Sequence, residues 1–311
     1  MRKRRGAAGA VVALVLLLTA AACGGSGGGA KSSSTTTKAK GSVVIGSANF
    51  SENVLLANLY AKALEDAGYK TTVRANLGAR EVIFPALEKG EIDMIPEYLG
   101  NALAFVAKDA GKPGDDVAAT TKKLSDALKS KQLSVLEPSD ATDGDILAVT
   151  KATADKDNLK KLSDLGPYAK NMTLGGPPEC PTRITCELGL EQVYGLKFKG
   201  FKALDTGGPI TKTALEKGDV DIARLFSADA SIKEKNFVIL DDDKFIQLAG
   251  NVVPVIRTSK VDAEITKLLN KVSSTLTTDD LIAMNTKIDV DKQDPDKVAQ
   301  DYLVSKKLIK G

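Results

Sequence analysis

Two aromatic residues, an arginine and a pair of cysteines are the side chains whose types and settings could do chemistry. Ala86-Leu-Glu-Lys-Gly-Glu-Ile-Asp93 recurs as Ala214-Leu-Glu-Lys-Gly-Asp-Val-Asp221, and each copy runs on to an aromatic, Tyr98 in the first and Phe226 in the second. An aromatic face attracts a cation or covers an apolar group. Arg183 sits in Gly175-Gly-Pro-Pro-Glu-Cys-Pro-Thr-Arg-Ile-Thr-Cys186, a stretch whose glycines and prolines constrain the backbone. A planar, always charged guanidinium held on such a loop is a preorganised hydrogen-bond donor. Cys180 and Cys186 are close enough in sequence to close a disulfide in an exported chain, contributing roughly 2 to 3 kcal/mol. The alternative, a cysteine metal site, would need further ligands that the sequence does not offer.

Composition removes other chemistries. There is no histidine, so a Ser-His-Asp or Cys-His centre is impossible and the usual nitrogen ligand of zinc is missing. Carboxylate-only catalysis stays open in principle, but no catalytic motif accompanies it, and a binding role is expected with no catalytic residue, metal or cofactor. The 43 basic and 40 acidic residues nearly balance, which gives nucleic-acid binding no electrostatic support. Asp241-Asp-Asp-Lys244 lacks the glycine and distal glutamate of a calcium loop and reads as a solvated turn.

The elements that must position these residues follow from the repeat. Each copy reads as the end of a helix, a glycine (Gly90 or Gly218) able to take the left-handed conformation that closes it, and a short strand. Upstream, Gly46 and Gly68 have counterparts in Gly175 and Gly195, so two similar α/β units lie in one chain, each with two βαβ steps. A parallel sheet carries its ligand-contacting loops beyond the carboxyl ends of its strands, where Tyr98 and Phe226 fall. The fold class is therefore α/β with two lobes, a ligand cleft between them and a two-stranded hinge. The expected limits are residues 42–144 and 228–311 for the discontinuous first lobe and 145–227 for the second. Ser139 to Asp145 serves as the interlobe linker, and the strands Phe237–Leu240 and Asn251–Ile256 and three C-terminal helices rejoin the first lobe.

The N-terminal residues read as an address. Met1-Arg-Lys-Arg-Arg5 is a basic head, Ala7 to Leu18 an apolar run too short to span a membrane, and Ala20-Ala-Ala-Cys23 follows at once. Residues 1–22 are expected to be a signal peptide. Residues 23–41 are expected to be a lipidated Cys23 and a flexible Gly/Ser/Thr-rich tether. Ordinary secretion without acylation is the alternative.

Gly46-Ser-Ala-Asn-Phe50, Asn76-Leu-Gly-Ala-Arg-Glu-Val82, the run to Asp93 and Pro96-Glu-Tyr-Leu-Gly100 together resemble the substrate-binding proteins of osmoprotectant ABC transporters, which take up glycine betaine, choline, carnitine and related quaternary ammonium compounds. The likeness spans nearly all of residues 43–311. It implies a type II periplasmic-binding-protein-like fold, an extracytoplasmic monomer held on the outer face of the cell membrane through Cys23, and an ABC permease as partner. It also implies that Tyr98 and Phe226 belong to an aromatic cage, that Arg183 pairs with the ligand carboxylate, and that Asn49 and Asn101, the latter in place of the family's threonine, line the site. By the same alignment Asp145 and Glu187 stand where the family has cage tyrosines, and Ala48 replaces a lysine. That depletion points to a hybrid site, with aromatics for the ligand's cationic or apolar part and Arg183, Asp145 and Glu187 for its polar groups. A sensor domain for a membrane receptor and a carboxylate-dependent enzyme on the same framework are the rival readings.

Overall fold

The computed structural model describes residues 40–107 and 116–311; the expected signal peptide (residues 1–22), Cys23 and nearly all of the expected tether lie outside the described residues. The chain runs β1 (Lys40–Gly46), α1 (Ser51–Asp66), β2 (Tyr69–Arg74), α2 (Arg80–Lys89), β3 (Met94–Tyr98), α3 (Leu99–Val106), α4 (Val117–Lys129) and β4 (Leu133–Val135). It continues with β5 (Asp145–Thr150), α5 (Lys151–Asp157), β6 (Thr173–Gly176), α6 (Glu187–Gln192), β7 (Gly200–Ala203), α7 (Pro209–Glu216), β8 (Ile222–Phe226), α8 (Ser231–Glu234) and β9 (Phe237–Ile239). It closes with β10 (Val252–Arg257), α9 (Ala263–Ser273), α10 (Thr278–Asp289) and α11 (Pro295–Ser305).

The strands form two sheets of the same plan. Their orders are β2-β1-β3-β10-β4 and β7-β6-β8-β5-β9, so β2, β1 and β3 of one correspond to β7, β6 and β8 of the other. In both sheets these three strands are parallel, and the fourth, β10 or β5, joins antiparallel. The repeat in the sequence is therefore a repeat in space. Gly90 and Gly218 close α2 and α7 with φ of 77° and 73°. Glu91 N then donates to Ala86 O and Asp219 N to Ala214 O, at 2.9 and 2.8 Å. The repeated aspartates do matching structural work: Asp93 accepts from Val44 N in β1 at 3.0 Å and Asp221 from Thr173 N in β6 at 2.8 Å. Each carboxylate thereby pins the turn ahead of the central strand to its neighbour.

Burial follows the strand pattern. Every residue of β3 and β8 is buried, as befits central strands covered on both faces. In the first lobe the apolar stripe of α1 packs with α9 and α11 around Leu55, Leu59, Leu269 and Leu303. Phe84, Leu87, Leu99 and Leu124 fill the opposite face. The second lobe buries Leu147, Leu174, Leu190 and Ile222 on one side and Leu215 and Leu225 on the other.

One expectation is corrected. Phe237–Leu240 does not rejoin the first lobe: β9 pairs antiparallel with β5, Val149 opposite Val238, at the edge of the second sheet. The reason is apolar, since Phe237 and Leu240 are buried in that lobe's core. The chain touches the first lobe at Ala228, turns back through α8 and β9, and crosses finally before β10. The crossing segments run side by side at Thr142 and Asn251, with Asp143 N donating to Gly250 O at 2.9 Å.

Candidate ligand-binding cleft

Tyr98 and Phe226 are the last residues of β3 and β8, and the lobes bring them to one cleft. Their ring centroids lie 6.4 Å apart. Phe50, on the turn between β1 and α1, completes a cluster at 4.8 Å from Phe226 and 6.1 Å from Tyr98, all three rings within 27° of parallel. Asn53 shapes that turn, its Oδ1 accepting from Ala48 N at 2.7 Å and its Nδ2 donating to Pro96 O at 3.2 Å. On the second lobe, Gly207 takes φ of 67° where a Cβ would stand 3.0 Å from the Phe226 ring, so glycine permits both the turn and the close approach.

The cleft is lined by residues of both lobes, among them Asn49, Arg80, Glu97, Asn101, Glu179 and Thr185. The loop from Pro177 to Cys186 forms one wall, braced by the expected disulfide between Cys180 and Cys186. Arginines and carboxylates are interleaved inside. Arg80 Nε donates to both oxygens of Glu97 at 3.0 and 3.1 Å and Nη2 to Oε2 at 2.7 Å. Burial works against the Arg80 charge, but Glu97 outweighs it and holds the guanidinium above its ordinary value. Arg224, two residues before Phe226 and so on the same face of β8, lies with its guanidinium carbon 4.0 Å from the Phe226 ring centroid. It pairs with Asp145, whose oxygens also accept from Thr185 Oγ1 at 2.9 Å and Asn101 Nδ2 at 3.3 Å. Burial, then the charge of Arg80, pushes Arg224 down from the usual arginine range.

A buried network lies beneath the aromatics. Tyr98 Oη donates to Glu52 Oε1 at 2.6 Å, and Asn285 Nδ2 of α10 donates to both Glu52 and Ala228 O. Asp143 in the crossing segment accepts from Ala228 N at 2.7 Å and from Ser227 Oγ at 3.2 Å, and hydrogen-bonds Glu52. Desolvation raises Asp143 well above the ordinary carboxylate range, and the adjacent Glu52 charge adds to it. Burial also raises Glu52, against the hydrogen bonds that Tyr98 and Asn285 give it. Burial thus works against ionisation of both carboxyls.

Of the residues expected at the site, Tyr98, Phe226, Arg183, Asn101, Asp145 and Asn49 line the cleft. Glu187 does not: it begins α6, half-exposed and outside the lining, and Thr185 instead faces Asp145. Partial burial, then Glu191, raises its carboxyl. Arg183 stands at the mouth, its Nη2 2.5 Å from Glu81 Oε1 of the first lobe and its guanidinium 5.2 Å from the Phe105 ring centroid. Phe50, Arg80, Glu97 and Arg224 were not singled out by sequence. For Arg224 the signal was present: one arginine in the otherwise apolar run Ile222-Ala-Arg-Leu-Phe226, two before the cleft aromatic.

Comparison with known proteins gives the family and the fold. The family described as the substrate-binding domain of ABC-type glycine betaine transport systems matches residues 41–305. The chain is 29% identical over 283 residues to the glycine betaine-binding protein YehZ of Escherichia coli strain K12, covering 86% of this chain and 92% of that protein. It is 24% identical to the carnitine transport binding protein OpuCC of Listeria monocytogenes, covering 88% and 89%. A crystal structure described as a glycine betaine/carnitine/choline ABC transporter superposes with a TM-score of 0.67 at 23% identity, over 86% of this chain and 99% of that one. That likeness shows the two-lobed fold.

Proposed function

Because the chain belongs to the family of substrate-binding domains of ABC-type glycine betaine transport systems, we propose that it captures a small quaternary ammonium solute between its lobes and delivers it to a membrane permease. One observation carries the reading: equivalent strand ends of two lobes, with the turn after β1, deliver Tyr98, Phe226 and Phe50 to one cleft. A quaternary ammonium has no N–H to donate and is held by ring faces. In this closed form Phe50 and Phe226 touch, so the lobes part to admit the ligand and close around it, supplying the state a permease can recognise. Asn49, Asn101 and the arginine-lined end serve its polar part.

The protein acts as a binder rather than an enzyme in this reading. Asp145, the candidate acid or base of the rival, has its oxygens committed to Arg224, Thr185 and Asn101. Its working place is outside the cytoplasmic membrane, held through acylated Cys23, with Asp145 and the Thr142–Asn251 crossing as the divide between lobes. Among the described residues no helix is long and apolar enough to cross a membrane.

The test is calorimetry of purified protein with glycine betaine, carnitine and choline, alongside mass spectrometry of any ligand released on denaturation. Stoichiometric binding with unaltered ligand is expected, weakened in Tyr98→Ala and Phe226→Ala. Turnover of a ligand would move the reading to the enzyme, and unchanged affinity in both variants would remove the cleft assignment. For the anchor, Cys23→Ser should leave the membrane fraction; identical partitioning of both forms overturns acylation.

A further inference from the structure

Resting on the capture of a solute by the aromatic cluster, we propose that Glu52 is a positioning residue: it anchors the ring of Tyr98 to the segments where the chain crosses between lobes, so that cage and hinge hold one another in the closed form. Glu52 is the second residue of α1, two after Phe50, and is 4% exposed. A helix N-terminus favours an acid in its first turn, but that preference is met in water: Glu264 of α9 and Asp296 of α11 hold the same second position and are exposed. Glu52 is buried instead. Its partners are the hydroxyl of Tyr98, the amide of Asn285 and the carboxyl of Asp143, with no lysine or arginine among them. A buried carboxyl without a cation works against folding, so helix capping and stability do not account for it.

Its contacts do. Tyr98 is held at both ends, its backbone N donating to Glu97 Oε2 at 3.0 Å and its Oη to Glu52 Oε1 at 2.6 Å, which fixes the attitude of a ring that lines the cleft. On its other side Glu52 reaches all three crossing segments. Asp143, which meets Glu52, lies in the first. Asn285 Nδ2 donates both to Glu52 and to Ala228 O in the second. Asp143 N donates to Gly250 O in the third at 2.9 Å, where the chains pass so closely that a Cβ on Gly250 would stand 2.9 Å from the Asp143 backbone. The amide of Asn285 is turned to serve this junction: its donors go to Glu52 and the crossing, while its own Oδ1 is buried without a partner among the described residues. Opening the lobes turns the crossing segments, and a carboxyl joined to all three carries that turn to Tyr98. A binding ring locked by a hydrogen bond behind it is preorganised for its ligand.

Calorimetry of the purified protein with glycine betaine and choline tests this. Tyr98→Phe keeps the ring face and removes only the hydroxyl; it should lower affinity for the ligand that binds by about three- to tenfold, the worth of the lost hydrogen bond. Glu52→Gln leaves one acceptor for two donors and should do the same. The double variant Glu52→Gln, Tyr98→Phe should bind within about twofold of Tyr98→Phe alone, since both changes break one link. Asp143, outside the cleft lining, reads the hinge end: Asp143→Asn should lower affinity by about two- to fivefold in the wild type and leave it unchanged in the Tyr98→Phe background. Losses that multiply in the double variant, a lowered melting temperature of Glu52→Gln with unchanged affinity, or an equal effect of Asp143→Asn in both backgrounds reduces Glu52 to packing and overturns the proposal. Should Glu52→Gln fail to fold, Tyr98→Phe and Asp143→Asn decide it by the same outcomes. Affinity that falls in Tyr98→Ala but not in Tyr98→Phe overturns the positioning role alone. Failure of the wild type to bind either ligand, or affinity unchanged in Tyr98→Ala, overturns the reading on which it rests, and the role with it.

Discussion

Asp143→Asn should make the protein's stability less dependent on pH, in a direction the buried network dictates. Asp143 is 1% exposed and Glu52 4%, and desolvation raises both because two adjacent buried carboxylates cannot both ionise cheaply. In the unfolded chain both groups return to their ordinary values of 3.8 and 4.5. Above those values the folded state binds more protons than the unfolded one. The stabilisation from the raised carboxyl is therefore fully present below about pH 4 and declines as pH climbs through the raised folded value. One proton of difference corresponds to at most about 1.4 kcal/mol per pH unit, or roughly 3 to 5 °C of melting temperature per unit for a chain of this size. Asparagine keeps an acceptor for Ala228 N and Ser227 Oγ and offers Glu52 an N–H that no pH in the range removes. Thermal melts followed by circular dichroism from pH 5 to 8, wild type beside Asp143→Asn, isolate the effect, because the other ionisable groups are common to both. The wild type's melting temperature should fall relative to the variant as pH rises. A constant difference across the range would refute the raised carboxyl.

Phe50→Ala should weaken glycine betaine binding by about two- to thirtyfold, the worth of one cation–π partner, with calorimetry as the readout; unchanged affinity would remove Phe50 from the cage. Gly207→Ala should destabilise by about 1 kcal/mol or more, because alanine is strained at positive φ, and should lower affinity by displacing Phe226; a melting temperature equal to wild type would contradict the packing. Glu81→Gln, which breaks the half-exposed pair at the mouth, should raise the ligand dissociation rate by no more than about fivefold with little change in melting temperature, measurable by stopped-flow competition.

Where the sequence was informative, the information was local. The left-handed glycines and the strand ends at Tyr98 and Phe226 depend on neighbours a few residues away. The antiparallel placement of β10 beside β3 and of β9 beside β5 depends on pairing across long sequence distances, which periodicity does not encode. Glu52 reads as a residue opening α1; that it is buried beneath Tyr98 depends on α10, more than two hundred residues later. Glu187 was assigned by alignment, and the loop ahead of α6 carries it out of the cleft. Arg224 stands out in sequence as the one charge of an apolar strand, but nothing local says that its face of β8 borders a cleft.

The two sheets become complete at different times as the chain is made. All strands of the second sheet come from residues 145–239, in one uninterrupted run. The first sheet has a gap at its centre until β10 arrives, with β3 exposing an unpaired edge of backbone groups, and α1 waits longer still for α9 and α11, which bring Leu269 and Leu303 to it and Ser273 Oγ to within 3.0 Å of Tyr60 Oη. A chain emerging from its N-terminus can therefore close its second lobe while its first remains open to pairing with other chains. Truncation before β10 leaves an intact second sheet tethered to an aggregation-prone first one, and the end of β3 that carries Tyr98 to the cleft then lacks its partner strand.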